Sequence, residues 1–227
     1  MHRRIILGPT ALAGIMLLAA CNQETANNNL PAPNNLPQAP QNEPAPGSKN
    51  EAVSAAKDAV AGAVGTVAAE LTTSAEGFVD DAAVSDMYEV QAGQLAEMRS
   101  QSSQIKQFAQ QMVDAHTQTS NELKRIVAKS APNFISPMDL DARRQVLLDD
   151  LKGARDEDFD GRYIAQQINA HQEAAILMRG YAKNGDSPEI RMFAQETLPK
   201  VEMHLKMIKE IDHALSAHNA QARNTTR

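Results

Sequence analysis

Tryptophan is absent from the 227 residues, and aromatic residues make up only 4% of them. A β-sandwich or barrel draws on aromatic and β-branched strands, so this scarcity favours helices and predicts an aliphatic core rich in alanine and methionine. There is one cysteine. Neither a disulfide framework nor a cysteine-based zinc site can be built within one such chain. No run of lysine or arginine occurs, and the net charge is −6. A protein that grips a phosphate backbone needs a basic face, so nucleic acid is excluded as a partner. Gly-rich phosphate loops, Ser-His-Asp groupings and paired carboxylates are missing too, which leaves the common enzyme classes without support. What is present suffices for a packed core: 42% hydrophobic residues against 22% charged, over a length that fits one ordinary domain or two small ones.

The chain begins with a short basic stretch, His2-Arg3-Arg4, followed by a mostly apolar run from Ile5 to Leu18. Fourteen residues are too few for a bilayer core, which needs about 20, and the pattern is that of a secretory signal. Leu18-Ala19-Ala20-Cys21 resembles a bacterial lipobox, and the single cysteine stands where that motif requires it. The resemblance implies a signal peptide over 1–20, a lipid on Cys21, and Cys21 as the mature N-terminus. Several acyl chains give stable anchoring to a membrane. Asn22 rather than Asp follows the cysteine, which by the sorting rule of enteric-type bacteria implies an outer-membrane lipoprotein facing the periplasm. Removing residues 1–20 takes away two arginines and no acid, moving the net charge from −6 to −8. The lipid, not charge, must therefore hold the body to the membrane.

Residues 21–50 read as a disordered tether, with Asn27-Asn28-Asn29, Asn34-Asn35 and six prolines between Pro31 and Pro46. Such a chain spans roughly 30 Å on average and up to about 90 Å as polyproline II. Over 51–73, Val53, Ala56, Val60, Val64, Val67 and Leu71 recur at helical spacing. Gly62 and Gly65 each cost about 1 kcal/mol against alanine, so the segment reads as a weak satellite helix.

From 74 to 217 no useful stretch alternates with period two, and the fold class is all-α. Four long amphipathic segments are predicted, over about 78–99, 103–129, 158–183 and 187–217. Ser102 or Ser103 caps the second, and Ser187-Pro188 opens the fourth. A shorter helical segment over 139–154 lies between the second and third. The breaks at 100–102 and 184–187 are tight, so the long segments pair as two antiparallel hairpins, which a longer connection joins into a four-helix bundle. Residues 218–227 read as a disordered tail. Pro199 removes one backbone bond inside the fourth helix and predicts a kink, unless Thr197 caps a new helix there.

Each long helix places one potential metal ligand at the centre of its apolar stripe: Glu89, His116, His171 and His204. Their heights agree. Measured from the turns near 101 and 186, the two members of each hairpin differ by three residues, or about 4.5 Å. His213 lies about 180° from His204 and belongs on the solvent face; His218 lies past the last good turn. Asp114 and Glu202 stand two residues before their histidines and point away. Val113, Ile168 and Val201 occupy the positions where di-iron bundles carry the Glu of Glu-x-x-His, so Glu89 is the one buried carboxylate expected, and an oxidase or ferroxidase is not supported. Two readings stay open. One is a mononuclear His₃Glu site suited to a single Zn, Fe or Cu ion, which Met112 and Met207 would soften towards copper. The other is a buried polar network that fixes helix register in a structural or stress-related envelope protein.

Glu89-Val90, Phe108-Ala109, Met112-Val113-Asp114-Ala115-His116, Phe159-Asp160, Tyr163, His171 and Leu198-Pro199 before His204-Leu205, in that order, resemble the bacterial family of unknown function DUF4142. The resemblance covers about 76–216. It implies a ferritin-like bundle and an exported protein, and it supplies no established reaction.

Overall fold

The computed structural model describes Gly62, Gly65, Thr66, Ala69 and residues 72–225. The expected signal peptide, Cys21, the tether and most of the satellite segment lie outside the described residues. Five α-helices follow in order: α1 (Ala75–Arg99), α2 (Ser103–Ser130), α3 (Ala142–Gly153), α4 (Asp156–Asn184) and α5 (Pro188–Thr225). No strand occurs among the described residues.

The ends follow from local chemistry. Ser74 caps α1 by accepting from the Gly77 N–H, which starts that helix three residues before Phe78. Ser102 caps α2 through the Ile105 N–H, and Asp141 caps α3 through the Arg144 N–H at 2.7 Å. The first turn of α4 has no side-chain cap; instead it carries Asp156, Glu157 and Asp158 against the positive end of the helix dipole. Helix α5 passes Pro199 as one element, so Thr197 does not begin a new helix. It also runs on to Thr225 rather than ending near Ala217. The apolar stripe fades there, but Ala217, Ala220 and Ala222 favour helix and neither glycine nor proline follows to stop it.

The four long helices form the bundle. The hairpins α1/α2 and α4/α5 lie side by side, α1 against α4 and α2 against α5. Arg99 at the end of α1 bonds Asp156 at the start of α4 at 2.8 Å, and Phe78 near the start of α1 packs on Tyr181 near the end of α4, their tilted rings 4.3 Å apart between centroids. Helices α1 and α4 are therefore antiparallel, and the long 131–155 connection carries the chain from one end of the bundle to the other. Helix α3 lies in that connection and packs on α1 and α4. Arg99 fastens it by donating to the carbonyls of Leu151 and Ala154 at 2.9 and 2.6 Å. Gly93 lets α1 and α2 come close: a Cβ there would stand 2.8 Å from Val113 Cγ2 and 3.0 Å from the Ala109 carbonyl.

The core corrects the expectation of an aliphatic interior. The few aromatics are concentrated in it: all three tyrosines, Tyr88, Tyr163 and Tyr181, are buried, as are Phe78, Phe108, Phe159 and Phe193. They belong to two apolar clusters. One holds Tyr88, Phe108, Met112, Leu151, Phe159, Tyr163 and Ile208. The other holds Phe78, Val79, Leu123, Leu177, Tyr181 and Phe193. On every long helix the residues between these clusters include buried polar ones: Ser85, Asp86 and Glu89; His116 and Thr119; Gln166, Gln167, His171 and Glu173; Thr197 and His204. A polar layer thus crosses the middle of the bundle between two dry ones.

Candidate metal centre

The polar layer brings three histidines together. His116 on α2, His171 on α4 and His204 on α5 are all buried, and each offers a ligand atom within 4.8 Å of the others. Their ring centroids are 5.6 to 6.1 Å apart. Antiparallel packing sets this up, because each helix delivers its mid-helix residue to one height. His213 is exposed, as is His218.

The hydrogen bonds fix which nitrogens face the centre. His171 Nδ1 lies 2.9 Å from the Gln167 carbonyl. A carbonyl can only accept, so Nδ1 carries the proton and Nε2 presents a lone pair. His116 Nδ1 donates to Asp86 Oδ1 at 2.7 Å, which leaves Nε2 inward. His116 Nε2, His171 Nε2 and His204 Nδ1 are buried with no hydrogen-bond partner.

Glu89 stands to one side of the three. Its Oε2 accepts from Gln167 Nε2 at 2.7 Å. Its Oε1 is buried without a hydrogen-bond partner and lies 3.9 Å from His171 Nδ1, the nitrogen turned towards Gln167. Of the four stripe-centre residues, the structure therefore groups the histidines and sets the carboxylate beside them. Met112 is fully buried in the neighbouring apolar cluster, and Met207 packs half-buried against it.

Glu89 is not the one buried carboxylate, and this corrects the sequence expectation. Asp86 is 8% exposed and Glu173 7%. Glu173 serves structure, accepting from Arg143 at 2.6 Å and Arg144 at 2.8 Å. Asp86 serves the histidines: besides His116, it accepts from Thr119 Oγ1 at 2.9 Å and Ser120 Oγ at 3.2 Å. It lies off the centre of the α1 stripe, at the seam with α2. The signal for it was Thr119 and Ser120, three and four residues after His116 on the face that meets α1.

Electrostatics split the three imidazoles. Burial lowers the affinity of His116 for a proton, but the hydrogen bond and charge of Asp86, with Glu89 further off, outweigh it and raise its pKa above the ordinary value. Burial, with the charge on His116 second, pushes His171 down to about 3. Burial, then His171 and His116, does the same to His204, also to about 3. Glu89 is held above the usual carboxylate range by burial, against the opposing pull of His116 and Gln167. Two bare lone pairs and one more basic imidazole thus meet at one point.

A cavity of about 210 Å³ adjoins the centre. His116, His204 and Asp86 form part of its wall; His171 and Glu89 do not line it. Exposed Gln118, Lys200 and Met203 mark its mouth between α2 and α5. No described helix is long and apolar enough to cross a membrane.

Fold and site together define an all-helical bundle with a buried three-histidine layer at mid-height. The chain belongs to the family DUF4142, a domain of unknown function, whose model matches residues 61–211. No curated protein matches it. Among solved structures, a chain described as "CopM in the Cu(II)-bound form" is similar to it, with a TM-score of 0.56, 16% identity, and coverage of 64% of this chain and 99% of that one. At that identity the likeness concerns the fold.

Proposed function

We propose that His116, His171 and His204 bind one late first-row transition-metal ion, with copper the first candidate and zinc or iron the alternatives, in an envelope lipoprotein anchored through Cys21. The observation that carries this reading is the pairing of free and used nitrogens. Metal-bound histidines characteristically donate their other ring N–H to a carboxylate or a backbone carbonyl. His116 does so to Asp86 and His171 to Gln167, leaving both Nε2 atoms bare. A purely structural network would be expected to satisfy those nitrogens, since an unpartnered buried polar atom costs about 1–3 kcal/mol.

The donor set agrees. Imidazole suits Cu, Zn and Fe, and Cu(II) heads the affinity order for such sites. Metal–nitrogen bonds of about 2.0 Å would set the three atoms about 3.3 Å apart, so the rings need close by no more than about 1.5 Å from 4.8 Å. Glu89 Oε1 lies on the Nδ1 side of His171, away from its free Nε2, so the three histidines form the donor set. The copper named for the similar fold favours the same reading for this chain. When bound, the ion would supply a Lewis-acidic centre. The chain's own residues would hold it, with Asp86 and Gln167 orienting the rings. With a lipid on Cys21, the bundle would be held at the membrane as a metal-binding or metal-buffering module.

The test is thermal unfolding of untagged, chelator-stripped protein with and without one equivalent of Cu(II), Zn(II) or Fe(II), together with elemental analysis. Binding only to the folded arrangement should raise the Tm. His116→Ala, His171→Ala and His204→Ala should each abolish the rise, and His213→Ala should not. A wild type indifferent to all three metals, with a His116→Ala variant that is merely destabilised, would leave a structural core.

A further inference from the structure

The three-histidine centre is closed on one side and open on the other. His171 and Glu89 back it and take no part in the cavity wall, whereas His116 and His204 form that wall. An ion held by all three nitrogens would therefore face the cavity with its remaining coordination position. The cavity is amphipathic along its length. Beside the histidines His116 and His204 stand Asp86 and the buried hydroxyl of Thr119, which bonds it. Its body is walled by side chains such as Leu177, Met178, Phe193 and Val201, and one cation, Lys200, stands at the mouth.

We propose that this cavity is a binding site for a small organic anion, in which a carboxylate or phenolate oxygen coordinates the metal and an apolar body fills the space between α2 and α5. The proposal rests on the metal reading above. A divalent ion on three neutral imidazoles leaves that side of the cavity cationic even with the charge of Asp86 beside it, so an anionic head is favoured over a neutral one. The apolar wall rewards a hydrophobic body in proportion to the area it buries. The volume of about 210 Å³ admits a single-ring molecule. A convergence of few polar groups within a mostly apolar concavity is the usual form of a small-molecule site.

Benzoate is the probe, acetate the control for the head alone, and the readout is the visible and electron paramagnetic resonance spectrum of the copper-loaded full-length protein. Benzoate should shift the copper spectrum saturably, with an affinity at least tenfold tighter than that of acetate. Ala174 lines the cavity without touching the metal ligands in sequence. Ala174→Leu should weaken benzoate at least tenfold while leaving copper loading and the acetate response unchanged. Should that chain fail to fold, Ala82→Leu, which lines the cavity from α1, gives the same comparison. A copper spectrum indifferent to benzoate, or equal responses to benzoate and acetate that neither filled variant alters, would overturn the site and leave the metal centre standing. Absence of any copper signal in the wild type would overturn both.

Discussion

Removing the proton-refusing character of His171 should change how the metal-free protein responds to acid. In the folded state its pKa is pushed down to about 3, first by burial and then by the charge on His116, against a partial offset from the bond to Gln167. In the unfolded chain it titrates near the ordinary value of about 6.5. Between those values the unfolded state binds a proton that the folded state refuses, so stability falls as pH falls through that window. Integrated from pH 6.0 to 4.5, where the folded group stays neutral, this one residue removes about 2 kcal/mol. His204 acts in the same direction. His116, whose folded value is raised, acts in the other: its contribution is fully present at low pH and is lost as pH rises through its folded value. The clean comparison is wild type against His171→Gln, which keeps a hydrogen-bonding side chain of similar size and removes the titration. Urea unfolding in the presence of a chelator, at pH 6.0 and 4.5, should show the wild type losing about 2 kcal/mol more than the variant. Equal losses in both chains would mean that His171 accepts a proton in place, and the buried, neutral imidazole would be refuted.

Asp86→Asn should lower the pH at which half-maximal zinc affinity is reached, because the charge that helps His116 keep its competing proton is gone. It should also weaken the metal by about 10–100-fold through loss of ring orientation; chelator competition across pH 5.5–8 measures both, and an unmoved midpoint would exclude Asp86 as the orienting group. Cys21→Ala should move the protein from the membrane fraction to the soluble fraction or block its processing; unchanged membrane association on fractionation would exclude the lipid anchor. Brief proteolysis of the mature chain should cut first within 22–50 and leave a helical core, read by mass spectrometry; first cuts within α4 or α5 would contradict a tether there.

Helix positions were legible because the apolar spacing is regular over four long segments, and the four stripe-centre residues were legible because each interrupts its stripe at the same height. What spacing could not supply was the angular detail between neighbouring helices. Asp86 and Glu89 are three residues apart on α1, so both reach the layer, but Asp86 turns to α2 and Glu89 to α4. A stripe centre identifies the second and passes over the first. The extent of α5 was missed because an apolar stripe reports burial, and a helix can outlast its buried face where its residues favour helix. The aromatic core was missed because composition counts residues and does not place them: eight aromatics are few for 227 residues, yet seven of them are buried in one bundle. The cavity depends on small residues from three helices, Ala82, Ala115 and Ala174, lining one space. No single helix reveals that.

The polar layer is costly as a structural device, and its cost argues for a ligand. Two dry clusters already hold the bundle together above and below it. Apolar side chains of similar volume in the same layer would join those clusters, and replacing buried polar groups in this way is often neutral or stabilising. Instead the layer buries three imidazole nitrogens, Glu89 Oε1 and Gln167 Oε1 with no hydrogen-bond partner. It then divides the imidazoles. Asp86 raises the affinity of His116 for a proton, while burial strips it from His171 and His204. A layer built for hydrogen bonding alone would let the proton of one ring satisfy the lone pair of the next; here the three rings meet at angles of 52° to 79° with centroids at least 5.6 Å apart, and no such bond forms. A dipositive ion at the proposed site would satisfy the three imidazole nitrogens together and leave Asp86 and Gln167 in the orienting roles they already hold.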